Sequence, residues 1–110
     1  MAETPDLALL ERLREVLDDR PVTETELRKL IDQTGGLVRT LGAHIDSSER
    51  RLTELADDAA SSLDEMAREL QRVERMRPRL AEARSLLAEL HTRARELRTA
   101  WLLHQAERRR

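Results

Sequence analysis

A chain of 110 residues without cysteine has neither disulfides nor thiolate metal sites, and it is long enough for one hydrophobic core. With 39% hydrophobic but only 1% aromatic residues, and three glycines and three prolines, it lacks the composition of a sheet protein, so few, long helices are expected. The net charge of −2 excludes an overall basic field directed at nucleic acid or anionic lipid, although residues 1–65 sum to −8 and residues 66–110 to +6.

The first helix is expected over residues 5–20. Thr4 can cap it, Pro5 fits the first helical position, Asp6 complements the dipole, and Leu7, Leu10, Leu13 and Leu17 share a face. Pro21 disfavours helical geometry at Arg20 and ends it. A second helix is expected over 23–34, opened by the reciprocal Thr23 and Glu26 pair, with Leu27, Leu30 and Ile31 as its buried stripe. Gly35 and Gly36 then serve as terminators.

From Leu37 the apolar positions step by three or four: Leu41, Ile45, Ser48, Leu52, Leu55, Ala59, Leu63, Met66, Leu70 and Val73. Asp46 to Glu49 and Ser62 to Glu65 both match capping boxes, yet the stripe runs through both, so one long helix is expected over 37–76. Pro78 is the firmer break, because it costs a helix interior about 3 kcal/mol and the stripe loses phase between Arg77, Leu80 and Ala83. A last helix is expected over 79–107, with Leu80, Ala83, Leu87, Leu90, Ala94, Leu97, Trp101 and His104 alternating in steps of three and four.

A reversal at Met76–Pro78 would lay the basic residues of 79–98 beside Glu49, Glu54, Asp57 and Asp58; a kinked continuous helix is the alternative. The expected fold is therefore an all-α helical bundle, one domain over 1–110, built on a long antiparallel coiled-coil-like hairpin with two short N-terminal helices.

Chemistry-bearing motifs are scarce. His44, His91 and His104 have neither a second histidine at zinc spacing nor a glutamate three residues before them, and the glycines form no phosphate loop. No catalytic, cofactor or metal residues and no small-molecule substrate are expected, and the chain is read as a non-enzyme. Arg84, Arg93, Arg95, Arg98, Arg108, Arg109 and Arg110 form a candidate basic patch. Interleaved glutamates and the lack of Phe and Tyr argue against single-strand binding there.

Leu86, Leu90, Leu97, Trp101, Leu102 and Leu103 are the candidate interface, because a helix apolar on more than one face has more than one partner. No stretch approaches the ~18 apolar residues of a membrane span and the N-terminus has no signal pattern, so a cytoplasmic location without membrane contact is expected. Lys29 is the single lysine among 20 basic residues, a bias expected of a GC-rich bacterial genome. In length, helical content and lack of cysteine the chain resembles the small helical-hairpin WXG proteins. Arg39-Thr40-Leu41-Gly42 stands where their Trp-x-Gly turn would be, however, and no family is assigned. The expected function is a self-associating protein–protein interaction or scaffolding module, a small subunit of a larger bacterial assembly, with a nucleic-acid-associated helical subunit as the alternative.

Overall fold

The computed structural model describes residues 5–17 and 23–109. These form three helices and no strand: α1 (Pro5–Leu17), α2 (Glu24–Asp57) and α3 (Leu63–Arg108). The all-α expectation holds. The helix boundaries differ in three places, each for a physical reason, while the expected cap at Thr4 and stop at Arg20–Pro21 lie outside the described residues.

First, Gly35 and Gly36 do not end a helix, and the expected 23–34 and 37–76 segments share the single helix α2. The start is as expected, with Glu26 N donating to Thr23 Oγ1 at 3.1 Å and Leu27 N to Thr23 O at 3.0 Å. Buried positions then run Leu27, Leu30, Thr34, Leu37, Leu41, Ile45 and Ser48, in unbroken helical phase across the glycines. A glycine inside a helix costs roughly 1 kcal/mol against alanine, whereas each buried leucine contributes about 1.5–3 kcal/mol, so the stripe prevails.

Second, the chain leaves helical structure over residues 58–62, within the segment expected to be one helix. Asp58 organises the connection: Ala60 N donates to its Oδ1 at 2.9 Å and Ser61 N to its carbonyl at 3.0 Å, the Asx and β-turn pattern. Ser62 caps α3 through Glu65 N donating to its Oγ at 3.1 Å, so this N-cap forms, whereas α2 passes through Asp46 to Glu49. Ala59 is exposed and Leu63 is 81% exposed, which removes both from the expected stripe.

Third, Pro78 lies inside α3, and neither a reversal at Met76–Pro78 nor separate 37–76 and 79–107 helices form. The apparent loss of phase arose from placing Leu70 on the stripe. Leu70 is 48% exposed, and Glu69, at 8%, takes the buried position. With Glu69 and half-buried Met76 included, Met66, Glu69, Val73, Met76, Leu80, Ala83, Leu87, Leu90 and Ala94 alternate three and four through the proline. Burial at Val73, Leu80, Ala83 and Leu90, with half-burial of Met66, Met76, Leu87 and Ala94, outweighs the ~3 kcal/mol cost of one proline.

Contacts gather in two compact units. The first comprises α1, α2 up to Gly35 and α3 from Ser85, and its innermost side chains are Leu13, Leu27, Leu90 and Thr34. The second comprises α2 from Gly36, the 58–62 connection and α3 up to Arg84, with Leu37, Leu41, Ile45, Leu55, Val73, Leu80 and Ala83 as its core. Arg77 Nη2 donates to Glu49 Oε1 at 3.1 Å within this second unit, an exposed pair between α2 and α3 that contributes little, about 0–1 kcal/mol.

Thr34 is fully buried and its Oγ1 has no hydrogen-bond partner. A hydroxyl removed from water without compensation costs about 1–3 kcal/mol. The near-isosteric Thr34→Val is therefore expected to stabilise the protein by about 1–2 kcal/mol. Thermal unfolding by circular dichroism checks this, and an unchanged or lowered Tm would show that the hydroxyl is satisfied.

Candidate functional site

The stripe that packs α3 in the first unit does not stop where its cover stops. Leu90 is fully buried and Ala94 half-buried, but the same phase continues into Leu97 at 37% exposure, Trp101 at 62% and an exposed His104. The reason lies in α2, whose first residue, Glu24, lines a cleft with Leu97, Arg98, Trp101, Leu102 and His104. α3 continues to Arg108, so its last turns extend beyond the start of α2.

Off the stripe, Leu102 and Leu103 are each 61% exposed. Successive helical residues are rotated by roughly 100°, so Ala100, Trp101, Leu102 and Leu103 make one turn apolar on every side. An isolated exposed leucine needs no explanation, whereas a contiguous turn of three large apolar side chains is an unusual surface for a folded protein. Arg95 and Arg98 precede it and Arg108 and Arg109 follow it, all exposed, with Glu96 and Glu107 as the intervening acids.

The structure divides the expected interface. Leu97, Trp101, Leu102 and Leu103 come together at the uncovered end of α3, whereas Leu86 and Leu90 are 8% and 0% exposed and belong to the core. It also divides the expected basic patch. Arg93 is half-buried, and its Nη2 donates to Leu17 O at 3.1 Å, which satisfies a carbonyl that the end of α1 leaves without an intrahelical partner. Arg95 Nη2 donates to Thr92 Oγ1 at 3.2 Å. Arg84 is exposed and falls in the second unit, and Arg110 lies outside the described residues.

A polar cleft in the second unit is lined by His44, Ser48, Arg51, Glu69, Arg72 and Met76 among others. Ser48 is 6% exposed, and Arg72 Nη1 stands 3.9 Å from Glu69 Oε2, a loose contact for a carboxylate this buried. His91 and His104 line two other clefts, in the first unit. Among the described residues no group of three or more His, Asp or Glu side chains is gathered as a metal ion would require, and no helix is long and apolar enough to cross a membrane.

Hydrophobic patterning missed Glu69 and Thr34. Thr34 was recoverable from its phase between Leu30 and Leu37, whereas nothing in the residue type marks Glu69 as buried. No protein-family model matches the chain, and no curated protein or solved structure shows significant similarity to it.

Proposed function

We propose that this chain is a non-catalytic protein–protein interaction or scaffolding module that self-associates, a cytoplasmic subunit of a larger bacterial assembly. The observation that carries the reading is the uncovered turn Ala100–Leu103, with Trp101, Leu102 and Leu103 each more than three-fifths exposed. Apolar area of this kind is stabilised by removal from water at roughly 25 cal/mol per Å², and aromatic anchors dominate binding energies. The same reading pairs α2 with α3 as antiparallel, coiled-coil-like partners. Glu24 shares a cleft with Leu97 and Trp101, and Leu27 and Ile31 share one with His91 and Ala94, the descending order that such a pairing requires.

Light scattering tests the proposal: a dimer or larger species is expected at micromolar concentration. A monomeric mass at ~100 μM, far above the dissociation constant of a ~1 μM complex, would contradict it.

The exposed Arg95, Arg98, Arg108 and Arg109 support a second reading, in which the basic end of α3 meets nucleic-acid phosphates. Phosphate binding releases counterions and weakens steeply between ~50 and ~200 mM salt. Under the protein-binding reading no measurable DNA or RNA binding is expected at the higher salt. Submicromolar retention there, abolished by Arg95→Glu with Arg98→Glu, would favour the nucleic-acid reading.

A further inference from the structure

The uncovered end of α3 has a complement on the same chain. Residues 54–65 hold Glu54, Asp57, Asp58, Asp64 and Glu65 and no basic residue. All five acids are exposed, and among them stands Leu63, at 81% the most exposed large apolar side chain described. Asp64 and Glu65 complement the start of α3, but Glu54 and Asp57 occupy the last turn of α2, which carries no basic residue. Carboxylates at a helix C-terminus oppose its macrodipole, so local helix stability does not account for them.

We propose, resting on the self-association reading above, that the 58–62 turn of one copy docks on the uncovered end of α3 of another. Leu63 enters the apolar surface of Trp101, Leu102 and Leu103, and the acids around it meet Arg95, Arg98, Arg108 and Arg109. The charges are complementary, which steers encounter and fixes orientation, while the apolar contact supplies the affinity. A second copy is the occupant because both halves of the match are exposed on this chain. Two α3 ends brought together would instead oppose one arginine-rich surface to another, which costs free energy. Each copy presents one donor and one acceptor surface, so the contact either closes reciprocally in a two-fold dimer or continues into rings and open chains.

Complementary blocked variants test this mode. One carries Asp57→Lys, Leu63→Ser and Asp64→Lys, which leave the structural Asp58 intact; the other carries Arg98→Glu and Trp101→Ser. Each alone is expected to scatter as a 12.7 kDa protomer with helical circular dichroism retained. Mixed in equal amounts they are expected to form a 1:1 dimer and nothing larger, since one retains the acceptor surface and the other the donor.

If the turn-blocked variant still associates as the wild type does, or if the mixture stays monomeric while the wild type associates, the docking mode is overturned and self-association stands. A wild type that is monomeric at ~100 μM overturns both. Should either variant lose helix, Leu63→Ser alone and Trp101→Ala alone make the same comparison, with at least a ten-fold weaker association expected for each and recovery on mixing.

Discussion

Trp101→Ala is expected to leave the folded protomer nearly as stable as before and to weaken self-association by about 2 kcal/mol or more, roughly thirty-fold in Kd. The position of the ring decides which. A tryptophan closing the end of a helical bundle would be buried, and its truncation would cost about 3–5 kcal/mol, a large part of the stability of a small domain. Trp101 is 62% exposed, so most of that burial is absent from the protomer. Surface truncations of this kind change stability by well under 1 kcal/mol. Circular-dichroism melting gives the stability and light scattering the association. A Tm lowered as by a core truncation, with association unchanged, would return the ring to a structural role.

Pro78→Ala is expected to raise stability by about 1–3 kcal/mol, on the order of 10 °C in Tm. Pro78 is exposed and interior to α3, where it deprives the helix of one N–H and crowds the carbonyl four residues earlier. Alanine restores the missing donor, and no core contact is lost. A fall in Tm would mean that the proline positions a turn, as the sequence reading expects, and would contradict the continuous helix. The cost of Pro78 also shows how strongly the Met66–Ala94 stripe holds α3 together, since it is met in the middle of a 46-residue helix.

Much of the helical content is legible in the sequence because the apolar positions keep helical phase, and phase was a better guide than residue type. Gly35, Gly36 and Pro78 are among the strongest local breakers known, and the structure passes through all three because the stripes on either side are in register. The actual break, at residues 58–62, contains neither glycine nor proline. Its signals were Asp58 as a side-chain acceptor for the turn and Ser62 as an N-cap, both easily hidden under a coincidental run of Ala59 and Leu63 at helical spacing. Glu69 was illegible for a different reason. Its adjacent Leu70 offered a chemically better candidate for the buried position, and only the three-dimensional path of α3 selects the charged residue.

The exposed apolar turn of α3 is legible in part. Leu102 and Leu103 stand beside the stripe and are exposed, but Leu90 on the stripe and Leu86 beside it are covered. The difference is the length of α2 relative to α3. Where α2 begins at Glu24 the cover ends, and no pattern within 79–107 encodes that position. Arg93 was likewise indistinguishable from its neighbours until the carbonyl of Leu17 was found against it.

If the uncovered end of α3 is where the protein meets its partner, its single tryptophan reports on that contact directly. Trp101 emission followed across a dilution series, beside helical circular dichroism, is the most direct measurement. Docking at this end predicts blue-shifted emission in the assembled protein that moves to the red as dilution lowers the scattering mass, with helical signal maintained. Red-shifted emission at every concentration, in samples whose mass shows an oligomer, would place the interface elsewhere and contradict it.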